Sequence, residues 1–241
     1  MKLRKWEELP EYMQTKELKP YYDRLQKKKK SLIVKRSLDI VISGLFLIVL
    51  SPLFLIIAII IKLDSDGPVF FRQERVTAYG KTFKIFKFRT MVDKAESKGP
   101  HVTVENDSRI TRVGKVIRKI RVDEFAQLID IFVGNMTFVG TRPEVPKYVN
   151  AYTNEMYATL LLPAGLTNDA SLYYADEAEK IANAEDADKT YIETLLPEKM
   201  KYNLYDIKHM SLKNDIKIVL KTALVVFGKK YEAKEFEKNM K

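Results

Sequence analysis

The sequence predicts an α+β fold in which a membrane element is followed by a small, mixed and mainly helical domain. Residues 40–61 carry no charge, and at about 1.5 Å per residue a helix of that length reaches across roughly 30 Å of hydrocarbon. Residues 69–72, 82–90 and 137–139 have the composition of short strands. Apolar residues between 109 and 132 recur at helical spacing. Together these observations predict one membrane element and one modest globular domain.

The apolar run contains a proline that favours a bend within the membrane. Pro52 lacks an N–H and its ring collides with the carbonyl four residues back, so the helix is predicted to break at Ser51-Pro52, where the Ser51 hydroxyl can bind a freed backbone group. Lys and Arg residues flank both ends of the run, which favours entry and exit on the cytoplasmic side. A hairpin and a single-pass helix with a tolerated proline are equally compatible with these residues.

The charge of the chain is concentrated beside the apolar run. Of its 42 Lys and Arg residues, twelve lie in residues 1–36 against five acidic residues, and the whole chain carries a net charge of +10. Anionic lipid headgroups attract such a surplus, so contact with membrane lipids explains the basic character without nucleic acid. The Lys and Phe residues of 82–90 could form a nucleic-acid platform, but no other motif supports one. The absence of cysteine excludes disulfides and thiolate metal sites.

Composition divides the chain into four segments. We predict a basic N-terminal extension at residues 1–34, the membrane helix at 35–64, a domain at 65–228 and a charged tail at 229–241. The extension mixes lysines with Trp and Tyr, which suits a headgroup layer, although a frayed terminus is the commoner explanation.

Within the domain, turns and caps locate the expected elements. A turn at 64–68 precedes the first strand, and a break near Arg121-Val122 separates two helices, the second ending at Gly134. Residues 163–200 are predicted to be loop-like, with helical spacing in 176–187. The last helix is expected to begin near Ser211 and to end at Gly228, with an apolar face wide enough to lie on a membrane.

The residues with chemical potential are arginines around a pair of carboxylates: Arg118, Arg121, Asp123, Glu124 and Arg142. A carboxylate at a helix N-terminus near arginines is expected to stay ionised, as a nucleophile or a magnesium ligand must. Arginine binds phosphate oxygens in a bidentate manner. An acidic pair in the first turn of a helix is, however, most often a solvated cap.

Five segments occur in an order that is specific when taken together: KRSLDIVIS, GPVFFRQER, FKIFKFRTM, NDSRITRVGKVIRK and VDEFAQLIDIFVGNMTFVGTRP. From Lys35 to about Phe227 the chain therefore resembles the bacterial sugar transferases of the monotopic phosphoglycosyl transferase superfamily. The resemblance implies a re-entrant helix broken at Ser51-Pro52 and a domain on the cytoplasmic face of the bacterial plasma membrane, with interfacial amphipathic helices.

The resemblance also implies an activity and assigns its residues. Asp123 would attack the β-phosphate of a UDP-sugar and release UMP, and a polyprenyl phosphate, expected to be undecaprenyl phosphate, would then take the phosphosugar. Glu124 would complete the dyad, and Asp123 and Glu124 would hold Mg²⁺. The implied phosphate-binding residues are Arg118 and Arg142, with Lys87 and Arg89 as weaker candidates. Such a step begins the synthesis of a surface glycan.

The sequence departs from the family at several positions. Thr77, Ala126 and Thr141 replace the usual glycine or proline, and the region after Pro163 lacks the PGxTGxxQVxGR pattern of many relatives beyond Thr167. The sugar and the oligomeric state are therefore left open. A non-catalytic membrane-anchored adaptor, which recruits an acidic partner through its basic face, is the alternative function.

Overall fold

The computed structural model describes residues 1–93, 95, 107–174 and 186–226. Helices dominate these residues, and four short strands form two sheets, which confirms the predicted mixed and mainly helical class. The helices are α1 (Lys19–Gln26), α2 (Lys29–Val49), α3 (Ser51–Asp64), α4 (Arg112–Lys119), α5 (Leu128–Val133), α6 (Pro146–Val149), α7 (Asp169–Tyr173), α8 (Ala187–Thr190), α9 (Leu196–His209) and α10 (Leu212–Val226). The strands are β1 (Phe70–Val76), β2 (Thr82–Phe88), β3 (Met136–Val139) and β4 (Ala164–Thr167).

Two paired strands form each sheet. The strands β1 and β2 are antiparallel, with Arg75 opposite Phe83 and Phe71 opposite Lys87. Their connection turns through Tyr79, which has a φ of 60°. The strands β3 and β4 are parallel. Because β4, α7 and α8 lie within residues 163–200 and α9 begins there, the prediction of a loop-like region was wrong.

A bent pair of helices occupies the apolar run. The axes of α2 and α3 differ by 61°, and the Ser51 hydroxyl donates to the carbonyl of Ile48 at 2.8 Å beside the bend. Among the described residues no single helix is long and apolar enough to cross a membrane, whereas the bent pair meets these criteria jointly. The helix α2 begins at Lys29, six residues before Lys35, where the sequence predicted the start of the membrane helix.

Polar side chains connect α2 to three other elements. Lys35 Nζ donates to Asp215 of α10 at 2.5 Å, and Arg36 donates to the last carbonyls of α5 at 2.6 and 2.8 Å. Asp39 is buried and accepts from the Thr137 hydroxyl of β3 at 2.8 Å. The bent helix pair is thus fixed to the domain at its N-terminal half.

Three apolar clusters form the core. The largest joins residues 1–32 to residues 145–210, so the N-terminal residues are packed into the domain instead of fraying. The second lies between β2 and α5, and the third lies between α3, β2 and α4. The strand β2 is therefore enclosed on both faces, which fixes the position of Lys87 near its end.

The C-terminal helix α10 begins where the sequence predicted, because Ser211 Oγ accepts from the backbone N–H of Asn214 at 3.2 Å. Its outward apolar residues are Ile216, Val219, Leu220 and Leu224. The predicted end at Gly228 and the tail of 229–241 lie outside the described residues, as does most of the helical pattern predicted at 176–187.

Candidate active site

The paired carboxylates lie on a short 3₁₀ helix that follows α4. Arg121 has a φ of 55°, so the chain reverses there in a left-handed conformation before the 3₁₀ segment Val122–Gln127 begins. Asp123 and Glu124 lie in its first turn, and the segment packs against β2. The break predicted near Arg121 is therefore where the structure directs both carboxylates towards β2.

Glu124 lies between two cations. Lys87 Nζ donates to Glu124 Oε1 at 3.1 Å, and Arg142 binds both carboxylate oxygens, with Nη1 donating to Oε2 at 3.4 Å and Nη2 donating to Oε1. Burial disfavours the carboxylate, but Arg142 and Lys87 outweigh it and hold the pKa of Glu124 well below its ordinary value. Glu124 is therefore an anion throughout the physiological pH range.

Asp123 has a different electrostatic environment. Burial raises its pKa above the ordinary value, and the neighbouring Glu124 adds to that effect, while Lys87, Arg118 and Arg142 oppose it. The sequence predicted a carboxylate kept ionised by arginines. In the structure, desolvation has the largest effect on the pKa of Asp123, so the ionisation of this carboxyl depends on the cations around it.

Two of the other predicted phosphate-binding residues occupy different surroundings. Arg118 is half-buried at the end of α4, close enough to Asp123 to lower its pKa. Arg89 is buried, and its guanidinium donates to the carbonyls of Asp66 and, at 2.7 Å, Ser65, just after α3. The structure thus brings Lys87, Arg118 and Arg142 together around the dyad. The guanidinium of Arg89 lies instead at the end of α3.

Arg75 also belongs to this region, although the sequence did not predict it there. Arg75 lies on β1, on the face of the sheet that carries Lys87, and its Nη1 donates to the carbonyl of Pro143 at 3.0 Å. The antiparallel pairing around a short turn was the available signal, because it places every second residue of both strands on one face. The strand predicted from the sequence ended at Arg72, so Arg75 fell outside it and the face that it shares with Lys87 was not predicted.

The carboxylates suit a hard cation bound jointly with substrate. Among the described residues no group of three or more acidic or histidine side chains could hold a metal ion by itself. Mg²⁺ commonly takes one or two carboxylates and completes its octahedron with water and substrate phosphates. Asp123 and Glu124 meet that requirement.

Comparisons with known proteins identify the family of this chain. A family model described as bacterial sugar transferase matches residues 30–229. The chain is 38% identical over 193 residues to a UDP-N-acetylgalactosamine-undecaprenyl-phosphate N-acetylgalactosaminephosphotransferase of Aeromonas hydrophila, an alignment that covers 78% of this chain and 42% of that protein. It is 31% identical over 202 residues to the UDP-glucose:undecaprenyl-phosphate glucose-1-phosphate transferase of Escherichia coli K12, covering 82% of this chain and 41% of that protein.

A third relative is the exopolysaccharide production protein PSS of Rhizobium leguminosarum, 46% identical over 112 residues, which are 46% of this chain and 56% of that protein. The names of the first two relatives describe sugar-phosphate transferases, and the name of the third describes exopolysaccharide production. The chain belongs to the bacterial sugar transferase family. It spans less than half of the length of the Aeromonas and Escherichia relatives.

Proposed function

We propose that this protein transfers a sugar 1-phosphate from a UDP-sugar to a polyprenyl phosphate, expected to be undecaprenyl phosphate, at the start of surface glycan synthesis. The observation that carries the proposal is the cluster in which Asp123 and Glu124 meet Lys87 and Arg142, within a chain of this family. The names of two relatives contain undecaprenyl phosphate and a UDP-sugar, but they differ in the sugar. The proposal therefore includes no particular sugar.

The reaction divides into two displacements at one phosphorus atom. A carboxylate oxygen of Asp123 attacks the β-phosphorus of the UDP-sugar, and the bond from that phosphorus to the bridging oxygen breaks, so UMP leaves with the electron pair. The phosphosugar is then bound to Asp123 as an acyl phosphate. A phosphate oxygen of the polyprenyl phosphate attacks the same phosphorus, forms the diphosphate bond and releases the Asp123 carboxylate.

The cations have a defined task in both displacements. Lys87 and Arg142 are bound by Glu124 when the cluster contains no substrate, and both can turn to phosphate oxygens that carry more charge than one carboxylate. Arg118, which lowers the pKa of Asp123, favours its nucleophilic form. A bound Mg²⁺ supplies charge neutralisation for the diphosphate, and Asp123 and Glu124 are the residues that would hold it.

The surroundings of the dyad support a site at the depth of lipid headgroups. Val116 on α4, Ile120 just after it and Phe125 on the 3₁₀ segment of the dyad are exposed apolar residues. The outer faces of α2 and α3 are also apolar and exposed, as expected of a hairpin that enters one leaflet from the cytoplasmic side. Such a position gives one carboxylate access to a water-soluble donor and to a lipid acceptor.

Substitution of the nucleophile tests the proposal directly. The purified protein in lipid nanodiscs, with undecaprenyl phosphate, Mg²⁺ and a panel of UDP-sugars, should release UMP, and Asp123→Asn should reduce that release at least about 10³-fold. Asp66→Asn, which alters an exposed carboxylate after α3, is the matched control and should retain full activity. Undiminished UMP release by Asp123→Asn would exclude this residue as the nucleophile.

The adaptor hypothesis predicts a different result. A protein that recruits an acidic partner through its basic face would bind in a salt-dependent manner, whether or not Asp123 is intact. It has no use for two half-buried carboxylates arranged with Lys87 and Arg142. The geometry of the cluster thus favours the transferase.

A further inference from the structure

Arg75 connects β1 to the loop that carries Arg142. Its Nη1 donates to the carbonyl of Pro143 at 3.0 Å, and its Nη2 donates to Gln73 Oε1 at 2.5 Å. The backbone N–H of Val76 donates to the carbonyl of Glu144 at 2.9 Å. Of these two connections between β1 and the loop, only the one from Arg75 comes from a side chain.

The environment of Arg75 is unfavourable for a cation that serves packing alone. Burial lowers its pKa, Glu144 opposes that effect, and the neighbouring Arg142 adds to it through like-charge repulsion. Its Nε is inaccessible and has no hydrogen-bond partner. A desolvated arginine with an unmet donor reduces stability. The planar guanidinium of Arg75 does, however, reach Gln73 and Pro143 at the same time.

We propose that Arg75 is a positioning residue for the donor phosphates. By binding the carbonyl of Pro143 and being anchored through Gln73, it fixes the backbone on which Arg142 stands and so directs the guanidinium of Arg142 into the cluster with Glu124. Arg75 acts through Arg142 and makes no contact with the reacting atoms. This inference rests on the proposed function, in which Arg142 binds the diphosphate of a UDP-sugar.

Two substitutions separate geometry from charge. Arg75→Met removes both hydrogen bonds, and Arg75→Lys keeps the charge but cannot reach Gln73 and Pro143 together. In each variant the KM for the UDP-sugar should rise about tenfold while the KM for polyprenyl phosphate stays unchanged. Arg72→Met is the matched control, because Arg72 on the same strand also donates to a carbonyl, that of Lys84, but lies on the opposite face. A wild-type KM in Arg75→Lys would overturn the positioning role.

A double-mutant cycle with Arg142→Ala completes the test. Once Arg142 is removed, Arg75→Met should change kcat/KM less than about twofold, since the residue that it positions is absent. Independent losses that multiply in the double variant would overturn the inference and leave the proposed function intact. If Arg142→Ala itself has wild-type kinetics, the assignment of Arg142 to the donor phosphates is wrong, and the role of Arg75 is overturned with it.

Melting temperatures of all variants identify losses due to unfolding, and Arg75→Lys remains informative if Arg75→Met does not fold.

Discussion

The two carboxylates of the dyad are adjacent in sequence, but their pKa values are shifted in opposite directions. Glu124 is bound by two cations, which hold its pKa well below the ordinary value, whereas burial raises the pKa of Asp123. Environments that separate two titratable groups in this manner give them separate chemical roles. Glu124 is suited to hold cations, and Asp123 is suited to accept a phosphoryl group once its neighbours have stabilised its anion.

Removal of Lys87 should therefore move the pH dependence of the reaction. Lys87 is the strongest influence that lowers the pKa of Asp123, so Lys87→Met should raise that pKa further. Since the proposed nucleophile, Asp123, is active when deprotonated, activity is lost as the pH falls through its pKa, and the acidic limb of the profile of kcat/KM should shift to higher pH. UMP release measured across the acidic and neutral range gives this limb.

Lys84 provides the control for that experiment. It lies on the same strand with an exposed side chain, so Lys84→Met should leave the acidic limb in place. An unchanged limb in Lys87→Met would show that the ionisation of Asp123 does not control the reaction. The height of the profile is a separate matter, because Lys87 is also a proposed phosphate-binding residue.

The sequence was sufficient to group Asp123, Glu124 and Arg142, because family motifs and helix-capping patterns are local signals. It could not distinguish Lys87 from Arg89, because Lys87 lies near the end of β2 and Arg89 lies only two residues further along the chain. That distinction depends on which element packs at each position, and Arg89 meets the end of α3 while Lys87 meets the 3₁₀ segment. Contacts of that kind are tertiary and have no signal in a single sequence.

At the scale of elements, Arg89 stabilises the end of α3. It is buried and binds backbone carbonyls that the end of α3 and the following turn leave without partners. Arg89→Met should thus lower the free energy of unfolding by roughly 3 kcal/mol, or the melting temperature by about 5–10 °C. Thermal unfolding in nanodiscs measures this loss.

Arg112, whose side chain is 96% exposed, is the matched arginine for that measurement, and Arg112→Met should melt as the unaltered protein does. If Arg89 served the donor phosphates instead, Arg89→Met would raise the KM for the UDP-sugar at an unchanged melting temperature. The two roles are thus separated by which of the two quantities changes.

Elements with strong local signals were predictable and weak ones were not. Pro52, Gly134 and Ser211 located a bend, a helix end and a helix start, because each residue acts on its own backbone. The strand β4 has only four residues, including a glycine, and it forms because β3 pairs with it. The N-terminal residues gave no periodic pattern, and their burial depends on partners more than a hundred residues away.

At the scale of the whole molecule, the hairpin predicts one-sided access. The chain has no cysteine, so single cysteines at Lys2 and Lys81, both exposed, report the side of the membrane on which each lies. With a membrane-impermeant maleimide, neither Lys2→Cys nor Lys81→Cys should react in intact bacteria, and both should react after permeabilisation. Ala95 is unsuitable for this purpose, because it is only 5% exposed and would be protected by burial.

A single-pass helix would place the two positions on opposite sides. One of the two cysteines would then react in intact cells, and the proposed hairpin would be wrong. Reaction of both after permeabilisation is the internal control that each site is accessible to the reagent.

The three polar connections of α2, through Lys35, Arg36 and Asp39, make the bent helix pair and the domain that follows it a single mechanical unit. When acyl chains are shortened or lengthened around the proposed hairpin, the distance of Asp123 from the bend at Ser51-Pro52 should therefore stay unchanged. The acceptor phosphate, by contrast, follows the headgroups. In the proposed mechanism the vertical offset between the two would then depend on lipid composition, so the rate of the second displacement should depend on membrane thickness.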